Sequence, residues 1–127
     1  MATQLLELTG SAVTKPPVGN PSGLPTTLVS YDEKVALARS VSNIYTLTVD
    51  TAVSVSLGAL TGVNFLSIRT DGAKVRVRIT SSDGSQQAVP VDTLLILRCD
   101  SVDITAVDLT RATSTDTDVY VVLGQKA

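Results

Sequence analysis

The sequence predicts an all-β fold, an antiparallel β-sandwich or small barrel of jelly-roll-like type with an extended N-terminal arm. Val, Thr and Ile make up nearly a third of the 127 residues, and their branched Cβ atoms suit a pleated strand better than a helix. Strand-length runs recur about every 8–12 residues from residue 43 onward, a spacing typical of sandwiches and small barrels. Four of the five prolines lie between residues 16 and 25, which indicates an extended segment before the β body.

Residues 1–28 form the predicted arm, and residues 29–127 form the predicted β body. The clustered prolines exclude a helix or a central strand between about residues 9 and 25, because each proline fixes φ and removes a backbone donor. Two interpretations fit the strand-like residues 3–8 that precede them. They are a first strand joined to the body by a long surface loop, or an arm that adds a strand to a neighbouring subunit. The arm residues expected to bind a partner are Gln4, Leu5, Leu6, Leu8, Pro16 and Pro17.

The segment 30–42 fits two structures. Ser30 followed by Glu33 has the form of a capping box, which would begin a short helix that continues through Arg39. The residues from Val35 to Arg39 also alternate as they would on a strand. Ala and Leu favour the helix, whereas the β-rich chain around the segment slightly favours the strand.

From residue 43 onward the pattern is β throughout, with turn residues between the runs. The predicted strands cover residues 44–49, 52–57, 63–69, 74–80, 86–89, 93–98, 103–109 and 119–123. Pro90 is expected to end the fifth of these runs, because proline cannot donate to a sheet ladder.

Two Asp-Gly pairs, at residues 71–72 and 83–84, predict β-hairpins with two-residue type I′ turns, whose central residues need φ > 0. The two turns together predict a three-stranded meander with an apolar side and a basic side. The predicted cross-strand pairs are Ile68 with Val75 and Leu66 with Val77 on the core face, Arg69 with Lys74, Ser67 with Arg76 and Phe65 with Arg78 on the outer face, and Ser82 with Ser85 and Ile79 with Ala88 at the second turn.

Four bases are expected to line the outer face of this meander: Arg69, Lys74, Arg76 and Arg78. Directly opposed like charges cost about 0.2–1 kcal/mol, which better solubility or an acidic partner would offset. The stripe therefore fits a solvated face or a contact with acidic side chains of a neighbouring subunit. Residues 99–127 carry a net charge of −3, an asymmetry that would also orient neighbouring copies.

Several classes of function lack their residues. The chain has no histidine and one cysteine, Cys99, so His-dependent nucleophilic catalysis and most zinc sites are excluded. No phosphate-binding, dinucleotide-binding or nucleophile-elbow motif is present, so we expect no enzyme, cofactor or metal. Ten basic residues, a net charge of −2 and four aromatics do not suit a nucleic-acid surface. No apolar run approaches the ~20 residues that span a bilayer, so no membrane partner is expected.

Six runs rich in Thr, Ser and Val characterise the β body. They are Tyr45–Val49, Val53–Gly58, Phe65–Ile68, Val75–Ile79, Ile104–Thr110 and Val119–Gly124. In these runs, its few aromatics and its arm, the chain resembles small virion structural proteins of tailed bacteriophages, and most of all a capsid decoration (cement) protein. The resemblance covers residues 43–124 in style and contains no diagnostic motif.

The resemblance implies a protein that binds the capsid surface and stabilises the shell. Its partners would be the major capsid protein or other virion proteins, and it would form a homo-oligomer, with a trimer favoured. It would be located on the capsid surface of the virion after assembly in the host cytoplasm. The alternative is a tail, collar or fibre-associated structural or receptor-binding module. A glycan-binding module of that kind would need exposed aromatics, and the chain offers only Tyr31, Tyr45, Phe65 and Tyr120.

Overall fold

The computed structural model describes residues 4–14, 26–71, 73–99 and 101–127. Within these ranges the chain forms nine β-strands and no helix. They are β1 (Gln4–Thr14), β2 (Thr26–Leu47), β3 (Val53–Ser54), β4 (Phe65–Asp71), β5 (Val75–Ser81), β6 (Gln86–Val91), β7 (Leu94–Arg98), β8 (Ile104–Arg111) and β9 (Thr117–Lys126). The strand predicted at residues 52–57 is thus reduced to two residues, whereas the other predicted strands lie close to their expected places.

The described strands form two antiparallel sheets with the orders β1-β2-β9-β4-β7 and β3-β8-β5-β6. From β2 onward, the chain passes to the other sheet at every connection except the one between β5 and β6. Without β1, each sheet has four strands, and two four-stranded sheets that are linked in this way form a jelly roll. The predicted all-β sandwich is therefore confirmed.

The strand β2 is long because two partners pair with different halves of it. β1 pairs with β2 from Thr26 to Leu37, and β9 pairs with β2 from Leu37 to Leu47. The first half of β2 therefore continues beyond the sandwich with β1 as a two-stranded ribbon, residues 4–14 and 26–36, called the ribbon below. The strand interpretation of residues 30–42 is confirmed, and the helix alternative is wrong because this segment pairs across to β1.

The hydrophobic core lies between the two sheets, where alternate residues of each strand point inward. Its fully buried members include Leu66 and Ile68 of β4, Val75 and Val77 of β5, Val107 and Leu109 of β8, and Val119 and Leu123 of β9. Burial of each such side chain contributes about 1.5–3 kcal/mol relative to its exposure. The four predicted core-face residues of β4 and β5 are therefore in the core, as their alternation indicated.

The hairpin predicted at Asp71-Gly72 is wrong. β4 pairs with β7 and β9, whereas β5 pairs with β6 and β8, so this turn connects two sheets instead of two neighbouring strands. The Asp-Gly signal is local, and it does not report which sheet the next strand joins. Leu66 and Val77 consequently lie on the inner faces of different sheets.

The second Asp-Gly turn does form a hairpin, but in a different register. Gly84 has φ +86°, and no described non-glycine residue has positive φ, so the turn is not of type I′. Instead, the Gly84 N–H donates to the Ser81 carbonyl (2.9 Å), and Ser81 rather than Ser82 lies opposite Ser85. A three-residue loop that ends in a left-handed glycine explains this geometry. The shift of one residue places Ile79 opposite Gln87 and not opposite Ala88.

Pro90 lies inside β6 and does not end it. Because the Ser81 N–H bonds the Ser85 carbonyl, hydrogen-bonded pairs along β5 and β6 alternate from there, and the Arg76–Pro90 pair is a non-hydrogen-bonded one. The proline nitrogen therefore faces the open side of an edge strand, where no ladder donor is needed. The expected break at Pro90 is wrong for this reason.

Candidate protein-binding surface

The outer surface of the sheet β2-β9-β4-β7 carries large apolar side chains in two cross-strand rows. Successive partners in one row are Ile44, Tyr120, Arg69 and Leu94, and in the next row Ser42, Val122, Ser67 and Ile96. Ile44 is 64% exposed, Leu94 57% and Ile96 47%. We call the surface formed by Ile44, Leu94, Ile96, Tyr120 and Val122 the apolar face. Exposed apolar residues that are grouped in this way form a candidate interaction surface.

A cation–π contact crosses the apolar face. The guanidinium carbon of Arg69 lies 5.5 Å from the centre of the Tyr120 ring. Beside this pair is a shallow depression lined by Ser42, Ile44, Tyr120 and Val122, among others. Tyr and Arg are enriched in protein interfaces, because each combines a large contact area with a polar group.

Phe65 is also on the outer side of β4, but it is only 2% exposed. It packs with Leu37 and Val122 in a small cluster separate from the main core. Gly124 makes room for this cluster, since a Cβ atom at that position would lie 2.9 Å from Leu37 Cδ2. The cluster lies where the ribbon joins the sandwich, so it anchors the ribbon to the body. The predicted placement of Phe65 opposite Arg78 is wrong, because these residues belong to different sheets.

The outer surface of the other sheet, β3-β8-β5-β6, is polar, and Arg78 and Asp108 form an ion pair on it. Asp108 Oδ2 lies 2.8 Å from Arg78 Nη2, and Asp108 Oδ1 accepts a hydrogen bond from Ser54 Oγ at 3.0 Å. The hydrogen bond from Arg78 lowers the pKa of the Asp108 carboxyl below its ordinary value, although burial raises it. Ser54, Asp108 and Arg78 are successive cross-strand partners, and the next partner in this row is Ala88 on β6. We call this surface the polar face.

The four predicted basic residues do not form one stripe. Arg69 lies on the apolar face, whereas Arg76 and Arg78 lie on the polar face, and Lys74 precedes β5. The predicted stripe is wrong because it depended on the hairpin at Asp71-Gly72. A role of these four residues in binding a partner stays a prediction.

Acidic residues of the C-terminal segment bond within their own chain. Arg111, whose side chain is 11% exposed, bridges Asp50 at 2.8 Å and Asp116 at 2.9 Å. Asp118 accepts a hydrogen bond from Thr46 Oγ1 at 2.7 Å. These contacts link the loops at one end of the sandwich, so they explain part of the acidic segment without a second subunit.

The predicted arm residues separate into two groups. Gln4, Leu5, Leu6 and Leu8 lie on β1, opposite Leu37, Ala36, Val35 and Glu33 of β2. Pro16 and Pro17 lie outside the described residues. The first interpretation of the arm, a strand that pairs within its own chain, matches the position of β1, while no other described strand lies on the second side of β1.

No group of three or more described His, Cys, Asp or Glu residues is placed to hold a metal ion. Cys99 is half-buried and packs against the core. Phe65 is buried, and Tyr45 is half-buried and packs against the core. The described residues include no helix that could span a membrane.

Fold and surface together define a jelly-roll body with one apolar outer face and a projecting ribbon. Comparison of the chain with protein-family models, curated proteins and solved structures gave no match.

The sequence prediction missed the apolar face. The signal that could have shown it is the run Leu94-Leu95-Ile96-Leu97, which is apolar on both faces of a strand. A strand of this kind has either a second layer over its outer side or an exposed apolar surface there, and the body has two layers only.

Proposed function

We propose that this chain is a virion structural protein that binds the surface of a capsid shell and stabilises it as a decoration (cement) protein. The observation that carries the proposal is the apolar face, with Ile44, Leu94 and Ile96 largely exposed on one rigid sheet. Such a face suits a protein partner, because burial of apolar surface contributes about 25 cal/mol per Å² before the costs of association.

The contrast between the two outer faces supports a specific docking side. On the polar face, Arg78 and Asp108 already pair with each other. On the apolar face, Arg69 is held over Tyr120 and lies opposite the exposed Leu94. An apolar centre that contains a Tyr and an Arg is typical of the energetic centre of a protein interface.

The fold is compatible with this role, since jelly rolls occur in viral capsid domains and in lectin domains. Fold alone does not define function, so the proposal depends on the surface and on the virion-like composition of residues 43–124. The partner would be the major capsid protein. A homo-oligomer, with a trimer favoured, would present several apolar faces to the shell at once, and several weak contacts would then act together.

Co-sedimentation with capsid shells that lack this chain tests the proposal. We expect the wild-type chain to sediment with the shells and Ile44→Asp to bind at least tenfold more weakly. Val49→Asp is the matched control, because Val49 is 49% exposed and lies in the turn after β2, away from the apolar face. Absence of wild-type binding, or equal binding by Ile44→Asp, would overturn the proposal.

A further inference from the structure

The sandwich protects its edge strands unequally. Among the described strands, β3 is only two residues long, and β6 carries Pro90 with its nitrogen toward the open side. The loop at residues 56–59 lies along β2, where the Ser56 N–H donates to Tyr45 and Arg39 donates to the Ala59 carbonyl. Short strands, prolines and covering loops all block the addition of a further strand. Within the part of the chain that the structure describes, β7 is five residues long, contains no proline and has no loop along its edge.

The backbone of β7 shows which groups face its open edge. The Cys99 N–H donates to the Asn64 carbonyl at 2.8 Å, and the Thr70 N–H donates to the Thr93 carbonyl at 3.0 Å. Hydrogen-bonded pairs alternate between these two ends, so Leu95 and Leu97 direct their backbone groups to β4. Leu94 and Ile96 therefore direct theirs outward. The same two residues carry the exposed side chains of the apolar face.

The ribbon also has an open edge, on β1. β1 pairs with β2 on one side, and no described strand lies on its other side. An isolated two-stranded ribbon is at best marginally stable in water, so a further strand beside it is favourable. Eleven paired residues give the ribbon a length of about 37 Å. This length is about twice the ~19 Å width of a four-stranded sheet. The ribbon therefore has the reach to contact another molecule.

The ribbon and the surroundings of β7 carry opposite charges. The ribbon sequence contains Glu7, Asp32 and Glu33 against Lys34, a net charge of −2. On the apolar-face side of the sheet, Arg69 and Arg98 flank the exposed side chains of β7. Opposite charges of this kind favour encounter and orientation more than final affinity.

We propose that β1 of one copy adds as a strand to the open edge of β7 in a second copy. The inference rests on the proposed function, which includes a homo-oligomer. It specifies the contact between copies that forms this oligomer. The contact joins two different surfaces, so it is head-to-tail, and repeated copies close into a ring where the rotation permits. The sheet then continues from one copy to the next, and the apolar faces lie side by side for the shell.

A pair of proline variants tests the edge of β7. Ile96→Pro removes an outward N–H and leaves the β4–β7 ladder intact, so we expect the oligomer to dissociate to single chains in light scattering. Ala88→Pro is the matched control, because Ala88 has the same outward position on β6 and its variant should remain oligomeric. A wild-type chain that is monomeric at high concentration, or an Ile96→Pro variant that stays oligomeric, would overturn the inference.

Cysteine cross-linking tests which segment occupies the edge, and it does not depend on how well the proline variant folds. In a Cys99→Ser background, one chain carries Ile96→Cys and a second carries a single cysteine at Leu5, Leu6, Glu7 or Leu8. We expect oxidation of the mixture to give a disulfide-linked pair for at least one of these four positions. A control chain with Val49→Cys should give none, and failure at all four positions would exclude β1 as the occupant.

The two proposals fail separately. Oligomer mass and cross-linking are measured without shells, so they report only on the contact between copies. Sedimentation with shells reports on the apolar face. If Ile44→Asp loses shell binding while the oligomer persists without any link between β1 and β7, the inference is wrong and the proposed function stands.

Discussion

The two outer faces of the sandwich expose opposite kinds of side chain to water. Each consists of four antiparallel strands with one side toward the core. The polar face meets water with paired charges, such as Arg78 with Asp108. The apolar face leaves Ile44, Leu94 and Ile96 in water, although β-sheet proteins usually place polar residues there. Exposed aliphatic side chains add nothing to the stability of the single chain, so the difference between the faces supports the proposal that a partner docks on the apolar face.

The largest effect is expected when the apolar face is made polar. The triple variant Ile44→Thr, Leu94→Thr and Ile96→Thr keeps strand-forming residues at three exposed positions. We expect its shell binding to fall at least 100-fold, about 2.8 kcal/mol, with a nearly unchanged thermal midpoint. Sedimentation and calorimetry on the same preparation check both statements. Intact binding would show that the apolar face is not the docking side.

A second variant tests the anchor between the ribbon and the apolar face. Gly124→Ala places a Cβ atom close to Leu37 and Phe65, and overpacking of this kind costs about 1–3 kcal/mol. Urea unfolding measures the loss. The double variant Gly124→Ala with Leu37→Ala should lose less than the sum of the single variants, because Leu37 then no longer obstructs the new methyl group. Simple additivity would contradict the proposed crowding.

The polar face should respond to acid through Asp108. Its pKa is lower in the folded chain than in the unfolded chain, chiefly because Arg78 donates to it. Its contribution to stability is therefore present above the unfolded-state pKa and is lost as the pH falls through the folded-state pKa. Asp108→Asn should cost about 0.2–1 kcal/mol at neutral pH and have less effect in acid. Unfolding measured at both pH values, with Asp92→Asn as an exposed control, checks this.

The smallest effect is expected at Arg76, which lies on the polar face opposite Pro90 and Thr110. Arg76→Glu should change the free energy of unfolding by less than about 0.5 kcal/mol. If Arg76 contacts an acidic partner as predicted, association with shells should slow at low salt and approach the wild-type rate at high salt. Equal rates at low salt would remove Arg76 from the binding surface.

The sequence predicted strands and core well because alternation is a local property. Val75 and Val77 are buried as their pattern indicated, whether or not their neighbours were known. Pairing is not local, since Leu66 finds its partners at Leu97 and Leu123. The prediction therefore assigned the correct faces to β4 and β5 but the wrong sheets, and the basic stripe was lost with them.

The candidate site was harder to predict for a related reason. An exposed Ile96 and a half-buried Leu97 look alike in sequence, and only the sheet order shows that β7 is an edge strand with an uncovered outer side. Pro90 is the reverse case. Its effect on β6 depends on which side its nitrogen faces, and that side follows from the hydrogen-bonding register and not from the residue type.

The alternation of the chain between its two sheets has a consequence for folding. Leu47 of β2 pairs with Thr117 of β9, so 70 residues separate two neighbouring strands of one sheet. Among the sandwich strands that the structure describes, only β5 and β6 form a hairpin from adjacent segments. Distant pairings of this kind slow folding to milliseconds or seconds. During synthesis at about 5–20 residues per second, β2 waits several seconds for β9, with its apolar residues uncovered meanwhile. We therefore expect the yield of folded protein to depend strongly on temperature and on chaperones.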